Sequence, residues 1–408
     1  MRRERSRSRY LFYAHDGMGL GHLRRNLAIA SALTELDPAA SVLMTASPID
    51  ISRFHVPDQV DILALPGLRK VSNGRYTGRR LAIPGGDVRT VRSALLVAAV
   101  QSFHPSVVLV DKHPLGVRGE LQAALETVRG AGDRAALGLR DILDAPATVR
   151  AEWRRASLRS HVPRYFDRVL VYGSKAVLDP VASYGLGSRV AELTEFCGYV
   201  LNSGDTLCRA GDQEALPARR KRPVVLGTVG GGEDGRPLLE TFIEAMRDAP
   251  WDSIVVAGPL AAARNVRALR KQARSAGIAF YGVVPGLTRW LHRVDALVCM
   301  GGYNTMAEAV SRGTPTVCVP RTRPRVEQLI RARAFSGLGL STVLEPRRLS
   351  AATLRGEVET LLGSPRREKA AHAAAVLGFD GARRAAQQLV ELAGVDRKAT
   401  PPPIRSAA

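Results

Sequence analysis

Ala296-Leu297-Val298-Cys299-Met300-Gly301-Gly302-Tyr303-Asn304-Thr305-Met306-Ala307-Glu308 is the stretch on which the fold class turns. An uninterrupted apolar run suits a strand buried on both faces, and it ends in two glycines that open a helix carrying Glu308. Strand, glycine turn and helix in that order make a corner of an open α/β sheet, where ligands meet the carboxyl ends of the strands. Gly301 and Gly302 expose backbone, and Asn304 or Thr305 can cap the helix. The helix dipole there favours an anion.

Two more turns repeat the pattern. Gly227-Thr228-Val229-Gly230-Gly231-Gly232 follows Val224-Val225-Leu226, and four glycines in six residues at a strand end imply close approach to a ligand. Asp16-Gly17-Met18-Gly19-Leu20-Gly21-His22 follows the apolar Tyr10–Ala14 and leads into a helical stretch, Leu23 to Leu36, with apolar residues at Leu23, Leu27, Ala30 and Leu33. None of the three fits the dinucleotide spacing G-x-G-x-x-G, which disfavours a dehydrogenase.

Outward from these turns, short apolar runs alternate with helical stretches along the whole chain. Strands are expected at Tyr10–Ala14, Ser41–Thr45, Asp61–Ala64, Val107–Val110, Ala135–Leu139 and Arg168–Tyr172, then at Val224–Thr228, Ile254–Ala257, Phe280–Val283, Ala296–Met300 and Thr316–Val319. The alternation lapses from about Asn202 to Arg222. The expected organisation is a basic tail (1–9), a Rossmann-like domain (10–203), a linker (204–222), a second Rossmann-like domain (223–395) and a disordered tail (396–408). At 408 residues, two cores are the natural expectation.

The formal charge is +21, yet only seven of the 59 basic residues are lysines. Two readings stand: the arginine skew of a GC-rich genome, or a basic face that meets anionic lipid or a phosphorylated acceptor. A specific nucleic acid partner is not expected. The cysteines Cys197, Cys208, Cys299 and Cys318 form no C-x-x-C pair and read as buried thiols of a reducing compartment. No run approaches the roughly 20 apolar residues that span a bilayer. The expected location is the cytoplasm, with peripheral attachment at the inner face of the membrane as an extension.

The ordered series Gly301-Gly302-Tyr303-Asn304-Thr305-Met306-Ala307-Glu308, Gly313-Thr314-Pro315, Val319-Pro320-Arg321 and Glu327-Gln328 resembles the donor-binding half of the family 28 GT-B glycosyltransferases, the peptidoglycan N-acetylglucosaminyltransferase-like enzymes. Gly19 to Arg25, Val110-Asp111-Lys112 and Gly138-Leu139-Arg140-Asp141 look like the first half of predicted bacterial glycosyltransferases of the same superfamily. The resemblance implies an α/β protein of GT-B fold, two Rossmann-like domains facing across a cleft. Its implied activity moves a hexosyl or N-acetylhexosaminyl group from a nucleotide diphosphate sugar, UDP-linked by analogy, to an acceptor hydroxyl. Transfer would be inverting and metal-independent, with no cofactor; a lipid-linked or polysaccharide precursor is the kind of acceptor implied.

By the same resemblance, Glu308 would accept hydrogen bonds from the ribose hydroxyls, and Gly301, Gly302, Asn304 and Thr305 would hold the diphosphate. Glu327 and Gln328 would contact the donor sugar, and Gly230, Gly231 and Gly232 would close over it. Two departures stand out. Met300 occupies a position where related enzymes often carry histidine, which leaves Arg321 or Arg325 to supply a phosphate contact. Glu327-Gln328 replaces a pair of glutamines.

His22 is the first candidate base, with Asp16 or Asp111 to orient it, and Asp111 is the alternative base. Capping or packing at the helix start is the competing reading of His22. Asp16, Gly17, Gly19, Gly21, Arg24, Arg140 and Asp141 are expected on the acceptor side, although Arg140 and Asp141 equally suit a structural ion pair. No metal ligand set is expected. A nucleotide-sugar 2-epimerase of the same fold, or a non-catalytic nucleotide-sugar-binding protein, would also use the donor half.

Overall fold

The computed structural model describes residues 8–14, 21–46, 55–72, 75–201, 222–232 and 234–394. The first lobe is built on β1 (Arg9–Ala14), β2 (Ser41–Ala46), β3 (Val60–Ala64), a hairpin of β4 (Leu68–Ser72) and β5 (Arg75–Gly78), β6 (Val107–Asp111), β7 (Arg134–Arg140), β8 (Arg168–Tyr172) and β9 (Thr194–Phe196). All but the hairpin form one seven-stranded parallel sheet in the order β3-β2-β1-β6-β7-β8-β9. The second lobe holds β10 (Val224–Thr228), β11 (Asp252–Val256), β12 (Ala279–Tyr281), β13 (Ala296–Cys299), β14 (Thr316–Cys318) and β15 (Thr342–Val343), parallel in the order β12-β11-β10-β13-β14-β15.

Each order reverses once, between β1 and β6 in the first sheet and between β10 and β13 in the second. At such a switch point the loops leave in opposite directions and open a crevice. The central strands are fully buried: every residue of β6 and of β13 is inside, which is why they read as unbroken apolar runs. Cys197, Cys299 and Cys318 are buried free thiols, the last two side by side on β13 and β14.

Three features depart from the sequence expectation. The expected basic tail ends one residue early, because Arg9 already pairs in β1 and donates to the carbonyl of Phe103 at 3.0 Å. Between the expected strands Asp61–Ala64 and Val107–Val110, where no strand was expected, the arginine-rich stretch after Leu68 folds into the β4–β5 hairpin and runs into the helix Gly85–Phe103.

The third concerns the end of the chain. Helix Gly381–Gly394, placed with the second domain by position, packs on helix Gly21–Leu36 and on β6 and β7 of the first lobe. Its apolar face of Ala385, Ala386, Leu389 and Leu392 is buried in the same core as Leu27, Leu33 and Leu109. The crossing is tight: the amide of Tyr199 donates to the carbonyl of Gly378 at 2.8 Å, and that of Gly381 donates to the carbonyl of Tyr199 at 3.2 Å. A Cβ on Gly381 would fall 2.7 Å from that Tyr199 oxygen, so only glycine lets the two backbones meet.

Candidate active site

In the second lobe, the helix after β13 begins at Tyr303 with Gly302 at its N-cap, and no side chain caps it. Asn304 and Thr305 lie inside the first turn, so the sequence reading of either as a cap does not hold. The first-turn amides therefore keep their donors for another acceptor. Gly301 has φ +84°, and a Cβ there would sit 2.8 Å from Cys318 Sγ. Gly302 differs: its backbone is extended (φ −61°, ψ 144°), and a Cβ would point into open space. The Gly230–Gly232 turn arches over this helix start, since a Cβ on Gly230 would lie 3.7 Å from Thr305 Oγ1.

The acidic groups around this crevice already carry partners. Buried Glu308 accepts from Arg24 Nη2 of the first lobe at 3.2 Å. Arg321 bridges Asp234 at 2.8 Å and Glu327 at 3.0 Å, while its backbone amide donates to Gln328 Oε1 at 3.2 Å. Arg325, an alternative phosphate ligand by sequence, is turned the other way. It reaches Asp144 at 3.2 Å and Glu152 at 3.0 Å in the first lobe.

Facing this crevice, the switch point of the first sheet carries a charged cluster. Asp111, at the carboxyl end of β6, is fully buried and accepts from Arg25 Nη2 at 2.8 and 2.7 Å. Its second partner is His22 Nδ1 at 2.7 Å. Burial alone would raise the Asp111 carboxyl, but Arg25 and His22 overcome it and hold the group well below the usual carboxylate range. An ionised Asp111 fixes the proton on Nδ1, so Nε2 of His22 carries the lone pair. Burial, the largest influence, pushes the imidazole down to about 4 although Asp111 pulls it up.

The guanidinium of Arg25 lies 5.3 Å from the ring centre of Tyr172 and 5.6 Å from that of Tyr303. Tyr303 is the residue that starts the helix of the opposite lobe, and its hydroxyl accepts from the amide of Val200 at 3.1 Å. Tyr199 stacks on it with ring centres 5.3 Å apart. The two crevices thus share one buried aromatic and cationic seam.

Residues 263–389 match the Glycosyltransferase family 28 C-terminal domain. A UDP-glucose: anthocyanidin 3-O-glucosyltransferase solved in complex with UDP superposes with a TM-score of 0.65 at 13% identity, covering 96% of this chain and 100% of that one. The fold is GT-B. By sequence the chain is similar to glycosyltransferases. An NDP-glycosyltransferase of Bacillus licheniformis is 30% identical over 35% of this chain and 34% of its own length. A UDP-N-acetylglucosamine--N-acetylmuramyl-(pentapeptide) pyrophosphoryl-undecaprenol N-acetylglucosamine transferase of Corynebacterium efficiens is 25% identical over 64% of this chain and 71% of its own length. The chain thus spans only about a third of the first of these relatives.

On the GT-B frame, Gly230–Gly232, Gly301, Gly302, Asn304, Thr305, Glu308, Arg321, Glu327 and Gln328 gather around one crevice. His22, Arg24 and Asp111 face it. Two acceptor-side expectations are revised. Arg24 reaches the donor-side Glu308. Asp141 is fully buried, accepts from the Tyr199 hydroxyl and from the Ile142 amide, and is not presented to the cleft; nor does it pair with Arg140. Gly21 starts its helix close to Asn304, whereas Asp16, Gly17, Gly19, Cys208, most of the linker and the C-terminal tail lie outside the described residues. Sequence reading missed Arg25 as the partner of Asp111, although its three-residue spacing from His22 puts both on one helix face. It also missed Tyr303, for which no local signal existed.

Proposed function

We propose that the protein transfers a glycosyl group from a nucleotide diphosphate sugar to an acceptor hydroxyl, with inversion. The observation that carries this reading is the apposition of an imidazole, oriented by a buried carboxylate, to an uncapped helix N-terminus across one crevice. His22 Nε2 would remove the acceptor proton, Asp111 would hold the ring and balance the imidazolium, and Arg25 would keep Asp111 ionised. The first-turn amides of helix Tyr303–Ser311 would receive the departing diphosphate. Gly302 supports this: neither its backbone angles nor a protein neighbour demands glycine, whereas a closely approaching ligand does.

In the same reading Glu308 would share its carboxylate between Arg24 and the ribose hydroxyls, and Glu327 and Gln328 would meet the sugar. We favour a UDP-linked hexose or N-acetylhexosamine and turnover without a metal. The acceptor class we favour is a lipid-linked or polysaccharide precursor at the membrane surface. Exposed Leu81, Ile83, Val91 and Leu95, beside exposed Arg79 and Arg80, offer a face suited to an anionic bilayer.

The test is a thermal-shift screen of nucleotide diphosphate sugars, followed by transfer from the best-binding donor to a bacterial lipid extract with and without EDTA. A bound donor at 100 times its Kd should stabilise the fold by about 2.7 kcal/mol. Labelled lipid formed equally well in EDTA is the expected product. An epimerised sugar formed without acceptor, or no stabilisation by any donor, would overturn the proposal.

A further inference from the structure

Five cationic side chains crowd the crevice at the carboxyl ends of β6 and β7: Arg25, Lys112, Arg140, Arg325 and Arg331. Arg25 pairs through Nη2 with Asp111, although its Nε is unpartnered among the described residues, and Arg325 pairs with Asp144 and Glu152. Fully buried Arg331 donates through Nη1 to the carbonyl of Gly301 at 3.0 Å, but its Nε and Nη2 have no hydrogen-bond partner among the described residues. Lys112 and Arg140 have neither a hydrogen bond nor an ion pair to their side-chain cations among the described residues, and the buried Nε of Arg140 is one of the orphaned donors.

These cations are neighbours. Lys112 follows Asp111 directly, and its amide donates to the carbonyl of Gly138 at 2.8 Å, two residues before Arg140 on the adjacent strand. Burial, then the charges of Arg140 and Arg325, push the Lys112 ammonium down to about 7. Burial, then Arg331 and Arg25, push the Arg140 guanidinium down to about 10. Lys112 also adopts φ +75°, a strained value for a residue with a side chain.

The nearest carboxylates, Asp111 and Glu327, are already paired with Arg25 and Arg321. Like charges that are partly desolvated and close together, with their nearest carboxylates already engaged, oppose folding, and so does backbone strain beside them. Such an arrangement is relieved when an anion enters. We propose that Lys112 and Arg140, with the buried guanidinium of Arg331 behind them, form a phosphate-binding subsite between the lobes, next to His22. A planar guanidinium fork and a mobile ammonium together suit a doubly charged phosphate oxygen set. The inference rests on the reading of this cleft as the substrate site and adds that a substrate presents a phosphate to the first lobe. That phosphate belongs either to the donor diphosphate or to the acceptor.

The experiment is calorimetric titration of the full chain with UDP, with uridine, and with inorganic pyrophosphate at saturating UDP. Wild type is compared with Lys112→Met, Arg140→Gln and the surface control Arg333→Gln, each checked for an unchanged Tm. If the donor supplies the phosphate, both cleft variants should bind UDP at least tenfold more weakly and uridine equally well. If the acceptor supplies it, UDP affinity should hold while pyrophosphate binding in the presence of UDP is lost in both variants and kept in Arg333→Gln. Should both cleft variants match wild type for UDP and for pyrophosphate, the subsite is refuted while the donor site stands. Should wild type bind pyrophosphate through Lys112 and Arg140 but no nucleotide, the subsite stands and the proposed sugar donor falls.

Discussion

At the carboxyl ends of β10 and β13 the groups offered to a ligand are mostly backbone: two glycine turns and the free amides of a helix start. Across the cleft, at β1 and β6, they are side chains, with His22 and Arg25 both donating to Asp111 at 2.7 to 2.8 Å. The two materials fail differently. A backbone site survives loss of any one side chain but not a Cβ in the wrong place. A side-chain site tolerates small backbone changes and is abolished by one truncation.

The sharpest way to break this contrast is His22→Ala. Removing a positioned base should lower kcat by roughly 100- to 10,000-fold. The Kd for the nucleotide donor, measured by calorimetry, should stay within about twofold, because no donor contact is assigned to His22. Equal losses in rate and in donor affinity would mean that the two crevices are one binding site and that the division of labour is wrong.

On the backbone side, Gly301→Ala and Gly302→Ala should part company. At Gly301 the new Cβ meets Cys318 Sγ at 2.8 Å with φ already at +84°. Chemical denaturation should report a loss of about 2 kcal/mol. At Gly302 nothing lies within 4 Å of the new Cβ, so stability should hold while donor affinity falls roughly tenfold, about 1.4 kcal/mol. Unchanged affinity in Gly302→Ala would remove the reason for a glycine there.

The same contrast explains what could be read in advance. Glycine is the one residue whose presence marks a backbone requirement, so the turns at Gly230–Gly232 and Gly301–Gly302 announced themselves, as did central strands such as Val107–Asp111, whose burial on both faces demands apolar runs. The short edge strands β9 and β15, of three and two residues, carry no periodicity to detect. Helix Gly381–Gly394 was legible as chain but not in its destination, since an apolar face does not name the surface it will meet. Asp141 looked like a cleft residue by its place at a strand end, and only packing turned it toward Tyr199. The cluster of Lys112, Arg140 and Arg331 joins positions more than 200 residues apart through tertiary structure alone.

The smallest effect tests the electrostatics of the side-chain site. An exposed histidine loses its basic form as pH falls through about 6.5. His22 is pushed down to about 4, chiefly by burial, so its imidazole stays neutral and able to accept a proton over the interval between those values. The acid limb of kcat, measured at saturating donor, should therefore lie near pH 4 and not near 6.5. The same depression costs stability as the pH falls. Between 6.5 and 4 the unfolded chain takes up a proton that the folded chain refuses, so this residue's contribution, complete above 6.5, declines toward pH 4. Following the His22 ring resonances by NMR through the same range separates the two effects. A ring that titrates near 6.5 would mean that the imidazole is solvated, and it would remove the electrostatic reason for setting this crevice apart from the backbone site across the cleft.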